Sequence, residues 1–369
     1  MRVTTSIAIF CIGISCAALW ADDDPRNRDQ VPVIVDGRGF GSWSLYLSSH
    51  YFYSAGKRCG LSAHEEWVRQ ARSRGLLPER PAKAVIPTKS FDPNDVLVIT
   101  VVVHIITASD GTTGDLTDGI VQSQIDILNE DFQALAGSNG ANGTDSRIQF
   151  VLAAFGPGGS PTTGITRTAD DTWFADSDED GFKTALRWDP DSYLNIYTND
   201  TSFLGYAYLP EGSAGFYWDG VVINYTAFGR NSPFYPYDQG RTATHEVGHY
   251  LGLLHVFEPE GDPSEPNPPG EGCPSGVPDC YSDNGDLICD TYPEAYATGG
   301  CPVGQQSCGS PDNIRNYLNY TNDTCMWEFT PEQVDRMRAQ LSTYRPNLFT
   351  ISGEIFADGF ESGNTTAWN

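Results

Sequence analysis

Apolar residues follow clear periods from about residue 96 onwards. Residues 96–106 form a β-branched run, which is typical of a strand buried on both faces. Apolar residues then recur at helical spacing over residues 121–135, which predicts an amphipathic helix. Three further apolar stretches predict strands, at residues 148–155, 193–197 and 221–225. Strands that alternate with a helix in this way indicate a layered subdomain of α and β elements.

The second half of the chain contains two more helical segments, separated by a region without a periodic pattern. One helix is predicted at about residues 238–253. Residues 258–312 are rich in Pro, Gly, Asp and Cys, which indicates loops held by cross-links rather than by an apolar core. A last helix is predicted to begin at Pro331, because Thr330 suits the N-cap position and Gln333 completes a capping box.

A short basic and apolar segment opens the chain. Arg2 precedes an apolar stretch at residues 7–19 that is too short to span a bilayer comfortably, which is typical of a signal peptide over residues 1–21. A lipid-modified Cys16 is the alternative, but Gly13 is a poor start to a lipid-attachment motif. No later stretch is long and apolar enough to predict a transmembrane helix, so the sequence predicts a secreted protein.

Residues 22–90 carry little periodic pattern. Their last part contains Arg80, Lys83 and Lys89 with Pro81 and Pro87 close by, which is typical of an extended and protease-sensitive joint. This composition predicts a segment that can be removed from the folded body that follows it.

The charge of the chain excludes one class of partner. The formal net charge is −26 over 369 residues. Nucleic acid is therefore not expected as a partner, because its phosphates would be repelled. Such an acidic exported protein is suited to calcium or to cationic substrates, although plain solubility explains the same charge.

The cysteines fall into three groups. Cys11 and Cys16 lie in the predicted signal peptide, and Cys59 lies far upstream of the others. The remaining cysteines cluster late in the chain, and they are Cys273, Cys280, Cys289, Cys301, Cys308 and Cys325. In an exported protein this cluster predicts three disulfides, whose connectivity the cysteine spacing leaves open.

The segment from His245 to His255 places three histidines and one glutamate at a spacing suited to a catalytic metal. A helix brings His245 and His249 to one face, because they are in positions i and i+4. Gly252 can adopt a positive φ, so the chain can turn back and bring His255 to the same point. Three imidazoles with an open fourth position are typical of catalytic zinc, and Glu246 can reach a metal-bound water. Histidines on a helix otherwise serve at surfaces or caps, and the length of the motif argues against that role.

The zinc motif resembles that of the metzincin metalloproteases, and the residues around it resemble their pappalysin-type branch. The matching segments are residues 193–197, 205–207, 220–225, 240–253, 286–291, 316–320 and 323–337. The resemblance covers about residues 95–345 and implies an α+β, zincin-like metzincin fold. That fold has a twisted, mostly parallel sheet of five strands with one antiparallel edge strand, long helices and a smaller irregular C-terminal subdomain. Its substrate cleft runs between the two subdomains, over the zinc.

The resemblance completes the predicted domain organisation. Residues 1–21 are the signal peptide, 22–90 a propeptide, 91–345 the catalytic domain and 346–369 a C-terminal tail. The upper subdomain covers about residues 91–255, and the lower subdomain covers about 256–345. The tail resembles short segments at the ends of secreted bacterial proteins, which indicates a bacterial source.

The family also implies roles for residues of the cleft. Glu246 is expected as the general base, and Tyr320 is expected to help stabilise the oxyanion, with packing as the alternative role of Tyr320. Metzincins place a methionine beneath the zinc, two residues before this tyrosine, and here the position holds Leu318. Leucine and methionine have similar volumes, so we expect the hydrophobic floor and the activity to survive.

The family pattern further implies cross-links and a latent form. It pairs Cys273 with Cys308 and Cys301 with Cys325, which leaves Cys280 for Cys289. Residues 57–60, Lys-Arg-Cys-Gly, resemble the cysteine-switch segment in propeptides of this branch. A thiolate from Cys59 is a good zinc ligand and would fill the open position until the propeptide is removed. An incidental thiol is the alternative, and the odd number of cysteines in the mature chain favours the switch.

Calcium is the expected second metal. Asp286, Asp290 and Thr291 lie where the family places calcium ligands, and hard oxygen donors suit this ion. A solvated acidic loop is the alternative.

The sequence therefore predicts a secreted zinc endopeptidase that cleaves peptide bonds in proteins and is made as a latent zymogen. The alternative is an inactive metzincin scaffold that binds proteins, for which Leu318 is the only support. A zinc hydrolase acting on a non-peptide substrate is a third hypothesis. Asp323 is expected near the pocket for the residue after the cut, where it favours a basic side chain or simply faces solvent.

Overall fold

The sheet is built around β3, which runs from Leu97 to Thr107. Its side chains are buried on both faces, which confirms the strand predicted from residues 96–106. Because β3 has 11 residues, it can pair with several shorter strands along its length. Those strands are β4 (Ile148–Leu152), β5 (Ile165–Ala169) and β6 (Leu194–Asn199), which are parallel to it, and β11 (Phe349–Ile351), which is antiparallel.

Two further strands complete the other side of the sheet. β8 (Val221–Asn224) is parallel to β6, and β7 (Gly205–Ala207) pairs antiparallel with β8 at the edge. Over the described residues the sheet thus has seven strands, so the expected five strands and single antiparallel strand were wrong. The short strands that the pattern did not predict are β5, β7 and β11, of which β5 and β11 pair with different parts of β3.

The structure, a computed structural model, describes residues 33–35, 38–40, 58–59, 89–257 and 286–352. The chain divides into two units, residues 1–55 and residues 56–369. In the first unit, β1 (Val33–Val35) and β2 (Arg38–Phe40) form an antiparallel pair. The sheet around β3, the long helices and the candidate site belong to the second unit. No helix among the described residues is both long enough and apolar enough to cross a bilayer.

Helix α1 (Asp118–Phe132) covers the sheet, and its start is capped by the Thr117 hydroxyl. The helix ends earlier than the apolar period predicted. Ala134 adopts a left-handed φ of 46°, and Leu135, expected on the apolar face, is exposed. Shorter helices follow in the upper part: α2 (Asp171–Phe174), α3 (Glu179–Leu186) and α4 (Pro210–Ser213).

Helix α5 (Arg241–Tyr250) carries the histidine motif and lies against α1, β7 and β8. It is shorter than the predicted 238–253, because glycines with positive φ, Gly240 at 77° and Gly252 at 94°, flank it. Beyond it, the described part of the lower region contains the short strands β9 (Gln306–Ser307) and β10 (Ser310–Pro311) and a 3-10 helix (Asp323–Cys325), before helix α6 (Pro331–Tyr344). The predicted capping box of α6 is confirmed, with Thr330 and Gln333 bonded to each other's backbone.

Candidate active site and metal centre

The three motif histidines converge on one point. Helix α5 places His245 and His249 on one face, with their Nε2 atoms 3.0 Å apart. The turn at Gly252 sends the chain back, so Nε2 of His255 lies 3.1 Å from Nε2 of His249. All three rings are buried. The local spacing in the sequence therefore predicted this arrangement correctly.

Backbone carbonyls fix the orientation of two of these rings. Nδ1 of His245 donates to the carbonyl of Tyr317 at 2.7 Å, and Nδ1 of His249 donates to that of Leu253 at 2.8 Å. With the protons on Nδ1, both Nε2 atoms present lone pairs to each other. Two lone pairs at this separation repel unless a cation lies between them, and zinc binds imidazole nitrogens of this kind. The donor set thus fits the implied metal.

Burial keeps the imidazoles in the form that binds metal. Desolvation lowers the pKa values of His245 and His249 far below the ordinary value, and the neighbouring histidines and Arg58 add to the effect. Neutral imidazoles are the species that coordinate zinc. The His255 ring is stacked on Phe257, with ring centroids 4.6 Å apart.

Glu246 lies beside the histidine cluster and is fully buried. Burial raises its pKa to about 8, although Arg58 and the bond from Cys59 act in the opposite direction. Oε2 accepts a hydrogen bond from the Cys59 thiol at 3.5 Å. Among the described residues, Oε1 has no hydrogen-bonding partner. A buried carboxylate oxygen of this kind is suited to a water or substrate atom at the metal position.

Cys59 completes the group of potential metal ligands. Its sulfur and the ligand nitrogens of His245, His249 and His255 all lie within 4.8 Å of one another. The Cys59 backbone forms a parallel bridge with Gly205 of the edge strand β7. The lack of a side chain at Gly205 leaves room for Glu246, since a Cβ there would lie 2.8 Å from Cγ of Glu246. The sequence predicted the meeting of Cys59 with the histidines from the resemblance alone.

Arg58 lies next to Cys59 and is fully buried. Its guanidinium lies over the Tyr237 ring at 4.5 Å and near the Tyr320 ring at 5.9 Å. Nη1 donates to the Thr242 hydroxyl at 3.2 Å. Among the described residues, its Nε and Nη2 atoms have no hydrogen-bonding partner. Sequence reasoning missed this residue, because only its position next to Cys59 connects it to the site.

Asp323 is fully buried and does not face solvent. Its Oδ2 accepts the backbone N–H groups of Gln239 at 2.8 Å and Arg241 at 3.2 Å, which lie at the start of α5. Burial raises the pKa of Asp323 to about 6, against the opposing charges of Arg58 and Arg241. Its Oδ1 has no hydrogen-bonding partner among the described residues.

Tyr320 and Leu318 both lie close to the histidine motif. The Tyr320 ring is 5.0 Å from the His255 ring and 5.7 Å from the His245 ring, which places it at the metal centre. Leu318 is fully buried and packs against Gly248 of α5, where an added Cβ would lie 3.1 Å from Leu318 Cδ2. Leu318 therefore packs against α5, and its expected place beneath the zinc stays a prediction.

The predicted calcium residues are partly brought together. The Thr291 hydroxyl donates to Asp286 at 2.8 Å, and both residues are buried. Asp290 instead accepts the backbone N–H of Glu332 at 2.9 Å, near the start of α6. Burial raises the pKa of Asp286 to about 7.

Of the expected disulfides, Cys301 with Cys325 is present, with a Cα–Cα distance of 5.9 Å. Cys289 and Cys308 are each disulfide-bonded. Their expected partners, Cys280 and Cys273, lie outside the described residues, as do the signal peptide and the end of the tail.

Comparison with known proteins agrees with this site. The family model of peptidases described as pregnancy-associated plasma protein-A matches residues 177–342. An extracellular metalloprotease of Verticillium alfalfae is 32% identical over 311 residues, which cover 81% of this chain and 94% of that protein. Mature mirolysin of Tannerella forsythia, solved with a cleaved peptide, has 34% identity and a TM-score of 0.56, and the match covers 70% of this chain and 100% of mirolysin.

A precursor structure is also similar. A mutant of promirolysin from Tannerella forsythia has 29% identity and a TM-score of 0.60, over 79% of this chain and 96% of promirolysin. The similar extracellular proteins include fungal ones, so the bacterial source indicated by the tail stays a prediction. The fold, the histidine motif and these similarities together show that the chain belongs to the pappalysin-type family of metzincins and is an extracellular metalloprotease.

Proposed function

We propose that His245, His249 and His255 hold a catalytic zinc ion and that Glu246 is the general base of a secreted endopeptidase. The convergence of three Nε2 atoms beside the buried Oε1 of Glu246 is the observation that supports this most strongly. Zinc bound there supplies a Lewis acid, which polarises a carbonyl and lowers the pKa of a coordinated water to about 7.

Residues of the chain itself transfer the proton, stabilise the oxyanion and orient the ligand rings. Glu246 accepts a proton from the attacking water and returns it to the leaving amine, because its carboxylate faces the metal position. Tyr320 is placed to stabilise the oxyanion, since its ring lies 5.0 Å from that of His255. Tyr317 and Leu253 hold the ligand rings in place through their carbonyls.

Glu246→Gln tests the assignment of the base. We expect peptidase activity of the processed chain to fall by at least about 10²-fold, because general base catalysis is lost. Zinc content should stay unchanged, since Glu246 is not a ligand. His245→Ala serves as the contrasting variant and should lose both zinc and activity. Near-normal activity of Glu246→Gln would show that another group removes the proton.

We further propose that the chain is made as a latent zymogen, with a signal peptide at 1–21, a propeptide at 22–90 and a catalytic domain at 91–345. The position of Cys59 among the histidines supports a cysteine switch, because a thiolate there fills the ligand position needed by water. The parallel pairing of Cys59 with β7 keeps this segment along the cleft. The tail, residues 346–369, includes β11, which pairs with β3.

We infer that the cleft accepts a basic side chain on the residue after the cut. Arg58 supports this, because it already places a guanidinium between Tyr237 and Tyr320, where its charge acts on Asp323. A substrate arginine or lysine can take the same place once Arg58 leaves, and the buried Oδ1 of Asp323 is available to it.

A peptide pair tests this preference. Arginine and citrulline have nearly the same shape, but only arginine is charged. With Asp323→Asn, which keeps an oxygen for the start of α5, we expect cleavage before arginine to fall by at least about tenfold, as for other buried charge pairs. Cleavage before citrulline should change little. An equal loss for both peptides would show that Asp323 only supports α5.

A structural calcium ion at Asp286, Asp290 and Thr291 is the final part of the proposal. Two carboxylates and a hydroxyl within six residues, two of them already in contact, support an oxygen-ligated site. Calcium at about 100 times its Kd should raise the free energy of unfolding by about 2.7 kcal/mol. A thermal melt with and without calcium measures this, and Asp286→Asn should abolish the difference. An unchanged melt of the unsubstituted chain would exclude calcium.

A further inference from the structure

Helix α5 begins without a capping side chain of its own. Its N-cap residue is Gly240, and no side chain there bonds to the helix. Two buried carboxylates from elsewhere hold the first turn instead. Asp323 accepts the backbone N–H of Arg241, and Asp131 contacts the side chains of Arg241 and Thr244. Both carboxylates lie at the end of the helix where its dipole favours negative charge.

Asp131 is unfavourably placed with respect to its own helix. It lies in the last turn of α1, which contains no basic residue, and the dipole of that turn disfavours a negative charge. It is also 1% exposed, and burial raises its pKa. The Arg241 guanidinium at 3.1 Å and the Thr244 hydroxyl at 2.7 Å compensate this burial. The Asp131 carboxylate thus stabilises the start of α5 rather than the end of α1.

Two paths lead from Asp131 to the ligand His245. Thr244, which donates to Oδ2 of Asp131, directly precedes His245 in α5. Tyr317, whose carbonyl accepts the Nδ1 proton of His245, has its hydroxyl near Asp131, since a Cβ on Gly140 would lie 3.1 Å from that hydroxyl and 3.0 Å from Cα of Asp131. The Asp131 carboxylate therefore lies close both to α5, which carries the His245 ring, and to Tyr317, which orients that ring.

We propose that Asp131 is a positioning residue for the metal centre, which fixes the rotation of α5 and the place of Tyr317 so that His245 meets the other ligands. This inference rests on the proposed zinc site. Changes to groups that orient metal ligands typically weaken metal binding about 10–100-fold. Asp131 acts through intermediate residues, so the low end of that range is expected.

Zinc affinity of the full chain, measured by competition with a chelator, tests the inference. Asp131→Asn should weaken zinc binding about tenfold and shift the visible bands of the cobalt-substituted chain. Thr244→Val keeps the shape of the side chain but removes the donor, so it should act in the same direction. Thr244→Ser keeps the hydroxyl and should bind zinc as the unsubstituted chain does. The Asp131→Asn and Thr244→Val effects should be non-additive, because they break one contact.

The outcomes separate this inference from the zinc site itself. If the unsubstituted chain binds no zinc, the proposed function fails. If it binds zinc, while Asp131→Asn and Thr244→Val lower only the melting temperature of the metal-free chain, Asp131 has a purely structural role and the inference is overturned. Equal zinc affinity of Thr244→Val and Thr244→Ser would overturn it as well, even if Asp131→Asn fails to fold.

Discussion

Leu318 lies directly beneath Gly248 of α5, so close that a Cβ on Gly248 would stand 3.1 Å from Cδ2 of Leu318. The Leu318 carbonyl also accepts the backbone N–H of Val256 at 3.4 Å, one residue after the ligand His255. Leucine here therefore supports the helix and the returning chain by packing, as the methionine of other metzincins is expected to do. The alternative of an inactive scaffold, which depended on this position, gains no support from the packing.

Substitutions at Leu318 measure this support. Leu318→Met should change the free energy of unfolding by less than about 1.5 kcal/mol and keep peptidase activity, because the volume is nearly conserved. Leu318→Ala should cost about 2–5 kcal/mol, because it leaves a cavity under α5. Urea unfolding and a peptide assay give both quantities. A large gain of activity in Leu318→Met would instead indicate that leucine impairs the site.

Loss of the Cys59 thiol should activate the unprocessed chain. Cys59→Ser removes a good zinc ligand from the cluster and leaves only a weak one. We expect peptidase activity of the full-length chain to rise by at least about tenfold, which corresponds to ~1.4 kcal/mol of inhibitory contact. The same substitution together with Glu246→Gln is the control and should stay inactive. If the unprocessed Cys59→Ser chain has no more peptidase activity than the unsubstituted chain, contacts other than the Cys59 thiol keep the precursor latent.

Gly205 should be required for activity, not for metal binding. In Gly205→Ala the new Cβ would meet Cγ of Glu246 at 2.8 Å and Cδ1 of Ile223 at 3.0 Å, so the carboxylate has to move. Displacement of a catalytic group by about 1 Å can reduce the rate about 10²-fold. Gly158→Ala, where nothing lies within 4 Å, is the matched control. The measurement is kcat on a peptide substrate, with zinc content determined in parallel. A normal kcat in Gly205→Ala would show that the added Cβ does not displace the Glu246 carboxylate.

Stability should fall in mild acid because of His104. This histidine is buried in β3, and desolvation lowers its pKa from 6.5 to about 4. The unfolded chain therefore takes up a proton at higher pH than the folded chain does. The contribution of His104 is fully present above pH 6.5 and is lost as the pH falls through 4, by about 3 kcal/mol in total.

Urea unfolding between pH 7.5 and pH 4 measures this loss, with His104→Gln as the comparison. The variant lacks the titrating ring but keeps polar atoms that can reach Thr166 and Asn195, the partners of His104. Its acid destabilisation should be smaller by about 3 kcal/mol. Identical pH dependence in both proteins would show that other groups cause the loss.

Local patterns in the sequence were sufficient to predict that the three proposed ligands converge. His245 and His249 share a face because of helical spacing, and the turn that returns His255 follows from a glycine with positive φ at Gly252. The capping box of α6 and the strand β3 were predicted for the same reason, since each depends on neighbours in sequence.

Contacts between distant segments were not predictable from such patterns. Asp131 and Arg241 form an ion pair 110 positions apart, and nothing in the period of α1 distinguishes this acid from a solvated one. Leu135 continued the period of α1, but Ala134 takes a left-handed conformation and the helix ends. The strand β11 has only three residues, and its pairing with β3 depends on how the chain returns after α6.

Zinc content per chain, measured by elemental analysis of the purified full-length protein, shows whether the three histidines form a metal site. We expect one zinc ion per chain, lost on His255→Ala just as on His245→Ala or His249→Ala, although His255 lies outside the helix. An unsubstituted chain without bound transition metal, or a His255→Ala chain that keeps its zinc as tightly as the unsubstituted chain, would show that these histidines do not form a zinc site.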